Sequence, residues 1–388
     1  MRFTHIIRFS GFSGFSGFLA FLGFLAFLGS FGALTGCGPS LDLNLVQADH
    51  QAPSNVAVFF TVDANTGEPV AGLTAEDFRI YEDGALVSVD ESKQTIINPE
   101  VAAKHYTLLL VDMSGSVTES DQVPLIEQAA SQFTSTLEGY QEVAVYAFDG
   151  SEDIHPITPF TSSSGRSSAG VNRLSGFRTQ DPSTNLHGAI VQATEVLNAE
   201  VAESETPLTF GTIVVFTDGT DRAARVSFRD MMSSLDDVDY DVFAVGVGNE
   251  IDEPTLAEIG FSGYVLVEDA AAVTAAFEAI GEKIVGFTQR FYLLSYCSPA
   301  RAGIHEVTVE AIQGEAAGTL DYTFDAEGFG PDCNPDSPPP FDTSGTGRRP
   351  RRRPRPSSGA RIQVSASAGS GGGGASASAV ADPEAGDY

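Results

Sequence analysis

Tyr106-Thr107-Leu108-Leu109-Leu110-Val111-Asp112-Met113-Ser114-Gly115-Ser116 is the stretch on which the reading of this chain turns. It begins as a continuous apolar run of strand length, and such runs suit strands buried on both faces, as in a parallel sheet. Similar runs recur at residues 143–148, 212–217, 242–247 and 264–267. Helical stretches lie between them. From Glu119 to Leu137, the residues Val123, Ile126, Ala130, Phe133 and Leu137 fall at helical spacing. Residues 186–199 do the same, and residues 270–287 are long and alanine-rich. Strands alternating with helices predict a doubly wound, Rossmann-like α/β domain with a mostly parallel sheet over residues 104–288.

The flanks read differently. Residues 55–100 hold short β patterns at 56–62, 78–81 and 86–89, separated by turn signals such as Asn65-Thr66-Gly67 and Glu82-Asp83-Gly84. Residues 289–333 hold three more, at 291–296, 305–309 and 320–324. Neither piece has strands enough for a sandwich of its own. They are expected to join as one β-sandwich with the α/β domain inserted, the other arrangement being two separate β units.

Composition excludes several function classes. The chain has 388 residues, with 21 Lys and Arg against 52 Asp and Glu, a net charge of −31. That balance argues against nucleic acid as a partner, because phosphate contacts need basic side chains. Three cysteines rule out a four-cysteine zinc site, and the six histidines contain no His-Glu-x-x-His pattern.

The chemistry sits at the strand ends. Asp112, Ser114 and Ser116 stand at i, i+2 and i+4 in the loop leaving the first strand, and Gly115 allows the turn to be tight. Ser183-Thr184-Asn185-Leu186 opens a helix, where hydroxyls are expected to cap the N-terminus. Thr217-Asp218-Gly219 follows the third strand. Ligands of open α/β sheets collect at the carboxyl ends of strands. An all-oxygen set with only two carboxylates suits Mg²⁺ better than a many-oxygen Ca²⁺ cage, although Mn²⁺ and Ca²⁺ accept the same donors. An ion so held is incompletely neutralised and invites an external carboxylate. Of the neighbours, Asp221 reads as a surface acid, Asp149 as a turn residue and His187 as a structural histidine.

With these residues in place, the region resembles a von Willebrand factor type A domain. Asp112-x-Ser114-x-Ser116, Thr184 and Asp218 match that family's metal-ion-dependent adhesion site in order. The resemblance implies Asp112, Ser114 and Ser116 as ligands of the first loop, Thr184 of the second and Asp218 of the third. It also implies capture of a protein ligand that presents an Asp or Glu to the metal.

The two ends carry their own signals. Arg2 and Arg8 precede an uncharged Phe/Leu/Gly stretch, and Leu34-Thr35-Gly36-Cys37 resembles a bacterial lipobox. That resemblance implies a signal peptide over residues 1–36, lipid on Cys37 and a tether over residues 37–54; the other reading of the apolar run is a membrane-spanning anchor. The expected location is the bacterial cell envelope, held to the membrane through the lipid anchor. Gly38, where an Asp would signal inner-membrane retention, points to the outer membrane. With Cys37 so used, Cys297 and Cys333 form the natural disulfide in an oxidising compartment, the other reading being two buried thiols. Residues 334–388 are Pro/Arg-rich and then Gly/Ala/Ser-rich, with seven arginines in residues 348–361, and are expected to be disordered.

Three function classes were weighed. The favoured one is an envelope lipoprotein that binds a divalent cation and a protein partner. A structural envelope-assembly protein with an incidental metal is the alternative. Catalysis is not expected, because no Gly-x-Ser-x-Gly elbow surrounds the serines and Ser114 stands where a phosphotransferase would carry a second acid.

Overall fold

A computed structural model describes residues 39–97, 103–120, 122–204, 206, 208–339, 341 and 358–364. Along the chain come β1 (Leu41–Gln51), β2 (Asn55–Ala64), β3 (Phe78–Glu82), β4 (Ala85–Leu86), α1 (Val89–Ser92) and β5 (Thr95–Ile97). The α/β region follows with β6 (Ala103–Asp112), α2 (Gly115–Thr118), α3 (Val123–Thr136), β7 (Glu142–Phe148), β8 (His155–Thr161) and α4 (Ser164–Val171). It continues with α5 (Leu186–Glu203), β9 (Leu208–Thr217), α6 (Phe228–Asp236), β10 (Tyr240–Val247), α7 (Glu253–Ile259), β11 (Gly263–Val267) and α8 (Val273–Gln289). The last three strands are β12 (Phe291–Cys297), β13 (Ile304–Gln313) and β14 (Ala316–Asp325).

The central sheet has the order β11-β10-β9-β6-β7-β8. All its pairs are parallel except β7 with β8. Successive side chains of β6 enter opposite cores. Leu109 and Val111 join α3 and α8 through Ile126, Phe133, Phe277 and Ile280. Tyr106, Leu108 and Leu110 join α5, α6 and α7 through Ile190, Leu197, Met231 and Leu256. This two-sided burial is why the strand sequences lack alternation. The chain runs from β6 to β7 on one side and returns to β9 on the other, so the sheet's switch point lies between β6 and β9. Asp112 ends β6 and Asp218 directly follows β9, which places both carboxylates at the crevice where such sheets bind ligands.

The flanking segments form two antiparallel sheets, β1-β2-β12-β5 and β14-β13-β3-β4. One core joins them: Val56, Val58, Phe60, Tyr292, Leu294 and Tyr296 from the first meet Phe78, Ile80, Val307, Val309 and Tyr322 from the second. The opposite face of β2 and β12 packs on the α/β region. Ala57, Phe59, Phe291 and Leu293 cluster there with Ala103, Leu208, Phe210 and Phe341. Arg290 joins the two parts, its guanidinium 3.2 Å from Asp63 Oδ1 and 4.6 Å from the Phe287 ring centroid. Cys297 and Cys333 are bonded, with Cα atoms 5.6 Å apart.

Several expectations need correction. Residues 41–51, read as tether, form β1, because Leu41, Leu43 and Leu45 alternate and pair with Ala64, Val62 and Phe60. Residues 86–89, read as a strand, bend away after Leu86, where the Ser88 hydroxyl accepts from Glu91 N and starts α1. The strand β8 was not read because Pro156 and Pro159 interrupt its pattern, as an edge strand permits. Parts of the tail are also ordered. Asn55 Nδ2 donates to the carbonyls of Asn334 and Ser337 at 2.7 Å each. Residues 358–364 lie along the outer edge of β11. Tyr264 N donates to Ala360 O at 3.1 Å, Ile362 N donates to Tyr264 O at 2.7 Å, and Gly359 N donates to Ala257 O at 2.8 Å. Ile362 and Val364 pack against the same core as α3 and α8, and Arg361 pairs with Glu253 at 3.0 Å. An alternating Arg-Ile-Gln-Val within a low-complexity run is the signal for this strap. Residues 1–36 and Cys37, with the export and lipid signals, and most of the arginine run lie outside the described residues. Among the described residues no helix is long and apolar enough to cross a membrane.

Candidate functional site

Three loops meet at the carboxyl end of the switch point, the first after β6, the second before α5 and the third after β9, and one local device shapes the first, the second and the adjoining loop after β7. In Asp112-x-Ser114, Asp149-x-Ser151 and Asp181-x-Ser183, an aspartate Oδ1 accepts from the backbone N–H two residues on, at 2.9, 2.8 and 3.0 Å. Such Asx turns reverse the chain sharply as it leaves a strand. The loops are then joined to one another. Gly115 N donates to Pro182 O at 3.0 Å, and Arg222 and Ala223 N–H groups both donate to Thr184 O at 2.9 Å. A Cβ on Gly115 would sit 2.8 Å from Pro182 Cβ, so only glycine lets the first and second loops approach this closely.

The five sequence-predicted residues occupy these three loops. Asp112 is fully buried, as is Ser114, and Thr184 is 4 % exposed. Asp112 Oδ2 accepts from Thr217 Oγ1 at 2.8 Å. The hydroxyls of Ser114 and Ser116 lie 3.2 Å apart, and the Ser116 hydroxyl bonds the Asp218 carboxylate. The cap expectation at the second loop fails: Asn185 stands at the N-cap of α5 without a side-chain cap, its Nδ2 donating to Ser151 O at 2.8 Å, and the Ser183 hydroxyl donates to Asp181 at 2.7 Å. Ser183 and Thr184 are thereby left to shape the site rather than the helix.

The electrostatics ask for a cation. Burial, and then the neighbouring Asp218 charge, push Asp112 up to about 7. Burial also raises Asp218, against the Ser116 hydrogen bond. Asp218 Oδ1 is buried and has no hydrogen-bond partner. A buried, unpaired carboxylate oxygen beside a second buried carboxylate is costly unless a positive charge lies between them. Two carboxylates and three hydroxyls are hard oxygen donors, so the residues present fit a divalent cation of the Mg²⁺ type. Among the described residues no three His, Cys, Asp or Glu side chains come together.

Sequence reasoning undervalued three supporting residues. Asp149, read as a turn residue, is 1 % exposed, and its Oδ2 accepts from Gln180 N at 2.6 Å, fixing the second loop. Asp221, read as a surface acid, has a buried side chain that accepts from His187 N at 3.1 Å and Ala224 N at 3.0 Å, holding the third loop against α5. Thr217 holds Asp112. The repeated Asp-x-Ser was the available signal for Asp149. His187 is structural, with Nδ1 3.1 Å from Val226 O and its ring against Phe228.

Residues 108–279 match the family model of the von Willebrand factor type A domain. No curated protein matches the chain. Among solved structures, the chain is similar to a von Willebrand factor type A protein from Catenulispora acidiphila at 13 % identity, covering 74 % of this chain and 73 % of that one, with a TM-score of 0.42. It is also similar to proximal thread matrix protein 1 from the mussel byssus with a zinc-occupied MIDAS motif, at 12 % identity over 47 % of this chain and 48 % of that one, TM-score 0.41. A third is manganese-loaded TRAP protein from Plasmodium vivax, at 10 % identity over 61 % and 98 %, TM-score 0.40.

Proposed function

Because residues 108–279 form a von Willebrand factor type A domain, we propose that the chain is a cell-envelope lipoprotein that binds a divalent cation and captures a protein partner through an acidic side chain. The observation that carries this reading is the buried Asp112 carboxylate beside the buried, unpartnered Oδ1 of Asp218. Asp112, Ser114, Ser116, Thr184 and Asp218 would hold the ion, and Mg²⁺ fits their donor set.

When bound, the cation supplies a positive charge with coordination positions left for a carboxylate from outside. The protein's part is preorganisation. Thr217 and the Ser114 N–H orient Asp112, and Ser116 orients Asp218. The Asp149 and Asp221 clamps keep the three loops from relaxing. The strongly acidic chain works against random capture of acidic proteins, so the partner presents its Asp or Glu on a neutral or basic surface. No turnover is expected, since none of the five residues is hydrogen-bonded to an imidazole base.

The test is equilibrium dialysis of Mn²⁺ with wild type and Asp218→Asn, joined to a pull-down from envelope extract with Mg²⁺ or EDTA. One ion per chain, lost in the variant, with a protein retained only by the metal-loaded wild type, supports the reading. Equal retention in every lane overturns it.

A further inference from the structure

Beside the metal cluster lies a cavity of about 220 Å³. Leu186, Phe228, Ile251, Leu256 and Ile259 supply its apolar wall. Thr217 belongs to both places, since it lines the cavity and its hydroxyl donates to Asp112 at 2.8 Å. The cavity lies between the third loop, the start of α5 and α7, all at the carboxyl end of the sheet.

Its acidic and imidazole side chains are already engaged. Asp221 accepts from His187 N and Ala224 N. His187 Nδ1 is turned to Val226 O. Asp252 accepts from Thr255 N at 3.1 Å as the N-cap of α7, and from the Thr255 hydroxyl at 2.5 Å. What these groups leave for a visitor is hydrocarbon. Burying an apolar group there is favourable, whereas a charged group would lose its water without gaining a partner. The volume falls below the roughly 300 Å³ at which pockets begin to hold whole small ligands, so it suits a single side chain.

We propose that this cavity is the specificity pocket of the site, and that the partner's acidic residue is accompanied by a neighbouring Leu, Ile, Met or Phe side chain that enters it. The proposal rests on the carboxylate-capture reading above. It adds what that reading lacks, since a cation accepts any carboxylate and cannot choose among partners. Arg222 pairs with Glu250, an exposed ion pair that links the third loop to the loop before α7.

The experiment uses the full chain and fluorescein-labelled heptapeptides with a central Asp, whose two neighbours are Leu, Phe, Gly, Ser or Lys. Binding is read by anisotropy in Mg²⁺ and in EDTA. The expected result is Mg²⁺-dependent binding that is at least tenfold tighter with Leu or Phe than with Gly. Ile251→Lys should remove that preference while leaving the Mg²⁺-induced rise in Tm unchanged, because it touches none of the metal-holding residues. Phe228→Ala, which enlarges the pocket, should shift preference from Leu towards Phe. Mg²⁺-dependent binding with no preference among neighbours, or a preference unchanged in Ile251→Lys, overturns the pocket and leaves carboxylate capture standing. A Mg²⁺-induced rise in Tm with no acidic peptide held overturns capture itself, and the pocket with it.

Discussion

Replacing Asp112 by Asn should make the metal-free protein more stable, although it removes a central residue of the site. Asp112 has an ordinary value of 3.8 and is pushed up to about 7 in the fold. Because the folded value lies above the unfolded one, both states hold the proton at low pH and no penalty arises. As pH rises through 3.8 the unfolded chain ionises freely while the folded one resists, and the penalty reaches its full size near pH 7. Each pKa unit is worth about 1.4 kcal/mol, so the ionised form costs about 4 kcal/mol at neutral pH. Asn occupies nearly the same volume but leaves one of the Ser114 and Thr217 donors without its acceptor, at about 1 kcal/mol. The net gain is about 3 kcal/mol, or about 6–12 °C for a domain of this size. The assay is thermal unfolding in EDTA from pH 4 to 8, repeated in excess Mg²⁺. Relative to the variant, wild type should lose stability between pH 4 and 7 in EDTA, and it should regain stability with Mg²⁺, by about 2.7 kcal/mol at a hundredfold excess over Kd. The variant should lack the Mg²⁺ gain and keep only the pH dependence of the other groups, His105 among them. A variant that melts at or below wild type in EDTA at pH 7.5, or that keeps the wild-type slope, refutes the argument.

Other perturbations reach different parts of the fold. Gly115→Ala should weaken the Mg²⁺-induced rise in Tm without altering any of the five donors, because its Cβ forces the first and second loops apart; an unchanged metal response would contradict this. His105 is held down to about 3 by burial and then by Arg290, between the Phe210 and Phe291 rings. Its folded value lies below its unfolded one, so stability is full above about pH 6.5 and falls as pH drops towards 3. His105→Leu should flatten that acid limb in denaturant titrations. Cys333→Ser should lower stability by about 4 kcal/mol, the loop-closure contribution of a bond whose cysteines are 36 residues apart, measured by urea unfolding against oxidised wild type, and should match reduced wild type. Gly359→Val should release residues 358–364, because its Cβ would lie 1.9 Å from Gly260 O. Faster amide exchange in β11 and concentration-dependent association in sedimentation are the expected signs.

The α/β core was legible because burial on both faces writes itself as unbroken apolar runs, and because Asp112, Ser114 and Ser116 fall within five residues of one another. Thr184 and Asp218 were legible through their motif. What pattern reading missed had weaker physical signatures. Asp149 and Asp221 act through backbone N–H groups, which leave no trace in side-chain periodicity. In β8, Pro156 and Pro159 conceal a strand that needs few ladder bonds because it lies at an edge. The strap is short and lies in a composition that elsewhere argues against structure, so Ile362 and Val364 were read with their surroundings. The first strand was missed for a similar reason. Leu41, Leu43 and Leu45 alternate, but the register shift between Leu45 and Gln47 breaks the pattern halfway along.

The strap also sets the order in which the fold can be finished. Arg361 reaches the Leu266 carbonyl across 95 residues of sequence. As the chain emerges from its N-terminus, the outer edge of β11 waits for those 95 residues before its last neighbour exists. The β-sandwich, whose final strand ends at Asp325, is complete before then. Closing the central sheet is therefore a late event of biogenesis, and a chain that stops early carries its candidate site beside an open seam.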